Sequence, residues 1–231
     1  MNRPWVGVQY WEHPIFIHWP VPYDGLRPLV PGPFQLDTFH GQAWISVVLF
    51  RSPRSRLRWG SSLFSLGPFW QVNVRTYIRF YEEPAVYFLN VYTNSRLSVL
   101  GARCLLSLPY QQASFDTSTS GRRTSFRMES TVGEPSRRFS ADVYPLSGWF
   151  SPENHSLENW LTERYHVYMV KGTYIVKATI SHMPWRLSEA RYNIKQNNVL
   201  EVTPEISDPL AHVASPQTTY VYPPSIRGRY V

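Results

Sequence analysis

Alternating apolar and polar positions are the commonest pattern along this chain, and they predict β-strands. Within residues 71–80, one side of the segment carries Val72, Val74, Thr76 and Ile78, and the other side carries polar and aromatic residues. A period of two residues is typical of a strand with a buried face. Residues 85–93 follow a turn and predict the returning strand of a hairpin.

Further strands are indicated by apolar runs bounded by turn residues. Residues 15–20 form an apolar strand. The pairs His40-Gly41 and Lys171-Gly172 each separate two apolar runs and predict two-residue hairpin turns. Three more strand-like runs lie between residues 110 and 144.

Helical spacing is confined to short segments. The strongest covers residues 94–108, where apolar side chains recur every three or four positions. We expect this helix to pack on the sheet through Leu97, Leu100 and Cys104. A short helix is predicted after Ser156, and a weakly amphipathic one across residues 188–196.

The balance of these elements predicts the fold class. Many strands, few helices and no strand-helix alternation indicate a mainly β (α+β) protein, built as a single antiparallel β-barrel or curved sheet. No linker divides residues 1–202, which we assign to one barrel domain. Five prolines between residues 204 and 224 mark residues 203–231 as a C-terminal extension. We expect it to lie over the domain and to add one strand at 218–222.

Composition predicts a large core and a basic surface. Hydrophobic residues make up 43% of the 231 residues, and the formal net charge is +7. Nearly all the positive charge is Arg, since only Lys171, Lys177 and Lys195 are lysines. A basic balance is compatible with nucleic-acid binding. The Arg residues are spread along the chain without a basic helix stripe or a Cys/His finger, so we expect no nucleic-acid partner.

The single cysteine and the short apolar runs bound the environment. Because Cys104 is the single cysteine, no disulfide can form within the chain, and its apolar neighbours predict a buried, inert thiol. No apolar run approaches the ~18 residues of a membrane-spanning helix, and residues 1–14 lack the apolar region of a signal peptide. We therefore expect a cytoplasmic protein without a membrane partner. Assembly into a homo-oligomer stays open.

A set of short segments carries a resemblance to a known family. In chain order they are Ile17-His18-Trp19-Pro20-Val21, Leu26-Arg27-Pro28-Leu29-Val30-Pro31, Leu36-Asp37-Thr38-Phe39-His40-Gly41-Gln42-Ala43-Trp44, Asn73-Val74-Arg75-Thr76-Tyr77, Leu108-Pro109-Tyr110, Leu161-Thr162-Glu163-Arg164-Tyr165 and His182-Met183-Pro184-Trp185. Together they resemble the YqjF-like family of uncharacterised bacterial proteins. Each segment is short, but their order and spacing make the set specific.

That family looks related to the acetoacetate decarboxylase superfamily. The segment from Leu26 to Pro31 resembles the superfamily's Leu-Arg-x-Val-Val-Pro, and Glu83-Pro84-Ala85-Val86 resembles its Glu-Pro-Ala-Ile. The resemblance implies a cone-like antiparallel β-barrel with a pocket inside. In the true decarboxylases, a Pro-Lys-Lys segment follows the latter strand and one of its lysines forms a Schiff base.

The chain departs from the decarboxylase pattern at that lysine. The equivalent stretch, residues 93–98, reads Thr-Asn-Ser-Arg-Leu-Ser. Schiff-base formation needs a neutral amine, and Arg96 stays protonated. Lys177 lies within a predicted strand, either facing inward as a displaced Schiff-base lysine or facing outward as an ordinary strand residue. We therefore do not carry the decarboxylase reaction over.

Candidate acid and base residues are few. His18 and His182 lie beside Trp19 and Trp185, and each is either a general acid/base or a core histidine bonded to the backbone. Glu163 is either a proton acceptor or, with Arg164, part of a structural ion pair. The seven histidines show no metal-ligand spacing, so we expect neither a metal nor another cofactor.

Side-chain parity predicts which residues line a pocket. Arg75 and Tyr77 are two apart on one strand, and Asn90 and Tyr92 are two apart on the next, so each pair shares a face. That face is either solvent or a polar barrel interior; in the second case Arg75 is a clamp for a carboxylate or enolate. The full predicted ligand-binding set is Arg75, Tyr77, Asn90, Tyr92, Arg96, Tyr110, Trp19 and Trp185, with His182 beside the two tryptophans.

Two functions follow from this pocket. The first is binding of a small organic acid, carbonyl or aromatic compound inside the barrel without catalysis. The second is an enzyme that acts on such a compound by acid/base chemistry without a Schiff-base lysine. A buried Arg-Glu-His cluster would favour the second, and an apolar pocket with one or two polar anchors would favour the first.

Overall fold

The computed structural model describes residues 4–59, 62–130, 132–133, 135–146, 148–205 and 208–230, with backbone alone at residues 59 and 104–106. Most of these residues lie in strands, as the alternation predicted. The strands are β1 (Gly7–Val21), β2 (Gln35–Leu36), β3 (Ala43–Ser52), β4 (Ser55–Trp59), β5 (Ser62–Ser65), β6 (Phe69–Phe80), β7 (Glu83–Thr93), β8 (Tyr110–Gln112), β9 (Ser114–Ser120), β10 (Arg123–Ser130), β11 (Arg137–Pro145), β12 (His166–Lys171), β13 (Tyr174–Ser181), β14 (Leu187–Asn197), β15 (Leu210–Ala214) and β16 (Gln217–Arg229). The helices are α1 (Tyr23–Leu26), α2 (Arg96–Leu106) and α3 (Leu157–Thr162), and a 3-10 turn covers Arg27–Leu29.

The strands form one large mixed sheet. Its hydrogen-bonded order is β16-β13-β12-β7-β6-β3-β1-β15-β14-β11-β10-β9, and β16 pairs with β1 as well as with β13. Seven strands, from β1 through β3, β6, β7, β12 and β13 to β16, therefore pair in a closed cycle. The sheet is not wholly antiparallel, because β7 pairs in parallel with both β8 and β12.

The C-terminal segment supplies two strands of this sheet rather than the one predicted. β15 pairs with the Ile15–His18 half of β1, and β16 pairs with the Gly7–Trp11 half. Pro223 and Pro224 coincide with a register shift between β16 and β13. Proline lacks the N–H that a regular ladder requires, and such irregularities are where a strand tolerates it. Proline content therefore concealed a long strand.

Residues 188–196 form a strand, so the predicted amphipathic helix is wrong. β14 pairs with β11 on one side and with β15 on the other. Ala190, Tyr192 and Ile194 contact the main hydrophobic core, and they are two residues apart. Pairing on both sides fixes this segment as a strand, and its apolar positions follow the strand period.

Helix α2 exists where it was predicted, but its leucine stripe does not pack on the sheet. Leu97 is 64% exposed and Leu100 is 63% exposed. The helix reaches the core through Ala102 instead, and Ser95 rather than Asn94 caps it by accepting from the Ser98 N–H. The side chain of Cys104 lies outside the described residues.

The weakest lateral pairing in the closed cycle joins β7 to β12. Its register consists of the single pair Val167 and Val86. The Glu83 carboxylate crosses this seam: it accepts hydrogen bonds from the Tyr168 hydroxyl of β12 and the Lys177 ammonium of β13. His166 Nε2 lies 3.3 Å from the same carboxylate. Lys177 is thus an ion-paired residue that shares a face with Tyr168.

Replacing Glu83 with Gln should loosen this seam. Burial raises the pKa of Glu83, but hydrogen bonds from Lys177 and Tyr168 outweigh it and leave the pKa below its ordinary value of 4.5. The charge therefore stabilises the fold above pH 4.5, and this stabilisation disappears as the pH falls through the lowered pKa. We expect Glu83→Gln to reduce the free energy of unfolding by about 1–2 kcal/mol at pH 7, measured by urea denaturation.

The neighbouring carboxylate supplies the control. The Glu82 side chain is 96% exposed, and its one ion-pair partner among the described residues is Arg79 at the surface. Glu82→Gln should leave the urea midpoint unchanged at pH 7 and at acid pH. Equal effects of the two substitutions at pH 7, or an effect of Glu83→Gln that does not shrink as the pH is lowered from 4.5 towards acid unfolding, would contradict the role given to Glu83.

Candidate functional site

A polar cluster is buried on one face of the closed cycle of strands. We call this face the His18 face. His18 of β1 lies directly opposite Ser46 of β3, and Ser46 lies opposite Arg75 of β6. Residues opposite one another in an antiparallel pair project to the same side, and Tyr77, two residues beyond Arg75, joins them. His18, Ser46 and Tyr77 are fully buried, and Arg75 is 6% exposed.

Short hydrogen bonds connect these side chains. The Ser46 Oγ lies 2.6 Å from His18 Nδ1 and 2.6 Å from the Tyr77 hydroxyl. The Tyr77 hydroxyl donates to the Leu161 carbonyl oxygen at 3.0 Å, and Arg75 Nη2 donates to the same oxygen at 3.1 Å. One backbone carbonyl therefore ties the cluster together.

Helix α3 supplies that carbonyl and covers the cluster. Its first turn is capped by the Ser156 hydroxyl, which accepts from the Asn159 N–H at 3.2 Å. Leu161 lies in the last turn, where helix carbonyls lack a partner within the helix. Leu157, Trp160 and Leu161 pack with Tyr77 over this end of the His18 face. The helix is short, and its own unsatisfied carbonyl is what binds it to Arg75 and Tyr77.

Arg75 is a buried cation without a protein counterion in the described part of the chain. None of the ion pairs there includes it. Its Nε–H is buried and has no hydrogen-bond partner. The guanidinium carbon lies 5.8 Å from the Phe16 ring centre and 5.9 Å from that of Tyr77. Burying a charge is costly unless an opposite charge compensates it.

The histidines around Arg75 are held in their neutral form. Burial, assisted by His212 and Arg75, lowers the pKa of His18 well below its ordinary 6.5. Burial also lowers the pKa of His212, whose ring centre lies 6.3 Å from that of His18. His18 Nε2 and His212 Nδ1 are buried, and neither has a hydrogen-bond partner among the residues that the structure describes. Several polar atoms thus remain unsatisfied around one cation.

A second set of residues lies next to this cluster. Glu163 accepts hydrogen bonds from the Tyr165 hydroxyl and, at 2.8 Å, from the Trp185 backbone N–H. The His182 ring lies 4.8 Å from the Tyr165 ring and 4.6 Å from that of Trp185. Burial lowers the pKa of His182; the charge of Glu163 acts in the opposite direction, and that of Arg75 lowers it further.

A cleft opens on the outer side of the segment that carries α3. It encloses about 170 Å³ and is lined by Asp37, Arg79, Pro84, Asn159, Trp160, Glu163 and Arg164. Arg164 Nη1 donates to Asp37 Oδ2 at 2.9 Å, and both side chains are at least nine-tenths buried. The Arg164 guanidinium carbon also lies 4.4 Å from the Trp160 ring centre. The partner of Arg164 is therefore Asp37 rather than the adjacent Glu163.

The family is decided by similarity along nearly the whole chain. The model of the DUF2071 family, described as an uncharacterized conserved protein, matches residues 8–218. The chain belongs to the DUF2071 family. A curated relative, the uncharacterized protein YqjF of Bacillus subtilis strain 168, is 35% identical over 222 residues, which cover 95% of this chain and 91% of the relative.

Solved structures place the DUF2071 chain in the acetoacetate decarboxylase-like fold, as the resemblance implied. The acetoacetate decarboxylase of Legionella pneumophila superposes with a TM-score of 0.67 at 12% identity, covering 100% of this chain and 90% of that one. The enduracididine biosynthesis enzyme MppR, complexed with pyruvate, has a TM-score of 0.67 at 11% identity, covering 98% and 91%. At such identities the similarity shows the fold alone.

The structure brings together part of the predicted site of this DUF2071 protein. Arg75 and Tyr77 share the buried His18 face with His18 itself. Trp185 packs against Phe16 of that face and against His182. The Tyr110 hydroxyl donates to Gln71 Oε1 at 3.3 Å, and burial raises the pKa of Tyr110 to about 12.

Asn90 and Tyr92 lie on the opposite face, so their predicted grouping with Arg75 is wrong. The hairpin pairs Arg75 with Phe88 but Val74 with Asn90, because a one-residue bulge intervenes on β7. A bulge reverses the side-chain parity of every residue beyond it. Tyr92 consequently joins the hydrophobic cluster of Val72 on the other side of the sheet, and Asn90 donates to Glu201.

Trp19 and Arg96 also lie outside the cluster. Trp19 follows His18 directly, so it projects to the opposite face, where it packs edge-on against Phe139. Arg96 begins α2 and is exposed. The strand period already places His18 and Trp19 on different faces. Grouping Trp19 with Trp185 is therefore wrong.

Ser46, Asp37 and His212 are site residues that were not predicted. Ser46 is the one residue with a hydroxyl group in the otherwise apolar run 43–50, and it faces His18. Asp37 lies within one of the segments that resemble the family, and the sequence pattern indicated no partner for its charge. His212 lies in the Pro-rich segment and reaches the site only because β15 pairs with β1, a long-range contact that local patterns do not reveal.

None of the helices in the described ranges is long and apolar enough to cross a membrane. Within those ranges, no three His, Cys, Asp or Glu side chains are grouped as metal ligands.

Removing the Asp37 carboxylate should destabilise the protein strongly. Asp37→Asn leaves the buried Arg164 guanidinium without its counterion, and we expect a loss of about 3–5 kcal/mol in the free energy of unfolding. The double variant Asp37→Leu/Arg164→Met removes both charges and should recover most of that loss. Asp24→Asn, at an exposed position of α1, is the matched control. A double variant as unstable as Asp37→Asn would contradict this pairing.

Proposed function

We propose that this protein binds a small organic acid inside a closed β-barrel, with Arg75 as the anchor for the carboxylate. The observation that carries the proposal is the buried guanidinium, which has an unused Nε–H and no carboxylate partner among the described residues. A carboxylate is the ligand that would compensate both the charge and the missing hydrogen bond.

The strand pairing supports the barrel. The cycle closes through β16, and residues of four of its strands, Tyr77, Val86, Met169 and Val176, pack in one hydrophobic cluster with Leu161. Strands that close on themselves enclose the side chains of one face. The His18 face is accordingly the interior of the proposed barrel.

The surroundings of Arg75 support an anionic rather than a cationic ligand. Burial and the positive charge of Arg75 keep the nearby His18 and His182 neutral by lowering their pKa values. Glu163, whose charge acts on His182, is already bonded to Tyr165 and Trp185. The enzyme MppR, which has a similar fold, is complexed with pyruvate, a small carboxylate, and this agrees with the proposed ligand class.

The cleft beside α3 is the proposed route to the interior. Trp160 and Glu163 line it, and α3 separates it from Arg75. Entry of a carboxylate requires the last turn of α3 to move aside. The six-residue length of this helix makes such a displacement inexpensive. Once inside, the carboxylate accepts from the unused Arg75 Nε–H, and the Leu161 carbonyl keeps its bonds from Arg75 Nη2 and Tyr77.

An acid/base enzyme is the second candidate function. The adjacency of His182, Glu163 and Arg75 favours it, because a neutral imidazole beside a carboxylate and a cation can move a proton on a bound acid. Schiff-base chemistry has no corresponding residue. The segment that bears the decarboxylase lysine reads Thr93 to Ser98, and Lys177 is paired with Glu83.

The anchor is tested by binding. Wild-type protein and Arg75→Met should be compared with pyruvate by isothermal titration calorimetry. We expect Arg75→Met to weaken binding by about 10- to 150-fold, the equivalent of the ~1.5–3 kcal/mol of a hydrogen bond to a charged group. Arg96→Met, at an exposed position of α2, should bind pyruvate as the wild type does.

The same variant separates a lost ligand from a lost fold. Because Arg75 is a buried charge without a described counterion, Arg75→Met should unfold at the same urea concentration as the wild type or a higher one. Unchanged pyruvate affinity in a stably folded Arg75→Met would contradict the proposed anchor.

Schiff-base trapping tests the excluded chemistry. Incubation with acetoacetate and sodium borohydride, followed by intact mass measurement, should yield no covalent adduct. A stoichiometric adduct on Lys177 would show that its amine leaves Glu83 and reacts with the keto acid. That result would contradict the claim that the protein has no Schiff-base lysine.

A further inference from the structure

The hydrogen atoms of the His18 cluster can be assigned from its bonding partners. The Leu161 carbonyl oxygen only accepts, so the Tyr77 hydroxyl hydrogen is directed to it. Ser46 must then donate its hydrogen in the 2.6 Å bond to the Tyr77 oxygen. The 2.6 Å bond between Ser46 Oγ and His18 Nδ1 is left with one donor, the Nδ1–H of the imidazole.

This assignment defines the state of the other ring nitrogen. A neutral imidazole carries a hydrogen on only one of its two nitrogens. Because Nδ1 carries it here, His18 Nε2 holds a free lone pair. The nitrogen is fully buried and has no hydrogen-bond partner in the described part of the chain. Burial lowers the pKa of His18, which keeps this lone pair available at neutral pH.

The cluster therefore presents two unmet groups of opposite kind. Arg75 Nε–H is a charged donor without an acceptor, and His18 Nε2 is an acceptor without a donor. Both side chains lie on the same face of the sheet, His18 on β1 and Arg75 on β6, and the strand between them, β3, carries Ser46. The charge of Arg75 acts on His18. A ligand that satisfies both must offer an anionic acceptor and, close to it, a hydrogen-bond donor.

We propose that His18 makes the site selective for small hydroxy acids: the carboxylate binds Arg75, and the hydroxyl donates to His18 Nε2. This inference rests on the proposed acid-binding function and adds the substrate class to it. A keto acid presents a second acceptor to His18 Nε2, and an unsubstituted acid presents no polar group. Either leaves the buried nitrogen unsatisfied, which is the condition under which polar sites discriminate most strongly.

Three acids with three carbons each test the selectivity. Lactate, pyruvate and propionate share the carboxylate and differ only in bearing a hydroxyl, a keto or no oxygen substituent. We expect calorimetry on the wild-type chain to give a lactate affinity at least about tenfold above those of the other two. In His18→Phe, the preference for lactate over propionate should vanish while propionate still binds.

The tautomer provides a second measurement that needs no variant and no ligand. In protein labelled with ¹⁵N histidine, the His18 resonances should report a protonated Nδ1 and an unprotonated Nε2 at pH 7. An Nε2–H tautomer would overturn the inference, because the acceptor would be absent.

The outcomes separate the inference from the proposed function. If all three acids bind with similar affinity and Arg75→Met weakens them all, the acid site stands and the role of His18 is wrong. If none of the three binds, the proposed function fails and the selectivity falls with it.

Discussion

The buried guanidinium of Arg75 is the constraint on which the interior of this protein depends. A cation in that position requires acceptors, and within the described residues the fold supplies one backbone carbonyl, from Leu161. Helix α3 is oriented by that bond and by the one from Tyr77, and the neighbouring histidines are kept neutral. Hydrophobic residues could fill the same volume at lower cost, which makes an unpaired buried charge more informative about function than about stability.

Arg75 lies on the face of the strand cycle that we propose as the interior of a barrel. Two of its junctions depend on features remote from the site in sequence. The β7–β12 junction has one residue pair in register and is reinforced by Glu83, while the junction at β1 is made by β16 near the C-terminus. We therefore expect substitutions at Arg75 to affect the proposed ligand binding without weakening the fold, and substitutions at Glu83 to weaken the fold itself.

Local patterns predicted where the strands lie. They predicted which side chains share a face only up to the first β-bulge. β1, β6, β7 and the hairpin of β12 and β13 follow directly from alternation and turn residues, and Arg75 and Tyr77 were grouped correctly. An unbroken hairpin would have set Asn90 opposite Asn73, on the Arg75 face. The bulge between these strands moves Asn90 opposite Val74 instead, and no local signal in the sequence marked it.

Long-range pairing accounts for the remaining differences. β14 and β16 are strands because partners lie on both sides of each, which overrides the weak helical pattern of one and the prolines of the other. His212 and Asp37 enter the site through contacts with residues more than a hundred positions away in sequence, His212 with His18 and Asp37 with Arg164. Such contacts are fixed by the whole sheet, so a single sequence read segment by segment cannot supply them.

A crystal structure of the protein grown with lactate tests the central claim most directly. We predict that the carboxylate lies within hydrogen-bond distance of the Arg75 guanidinium on the His18 face. A structure in which Arg75 is paired with a carboxylate of the protein, leaving no place for the acid, would contradict that claim.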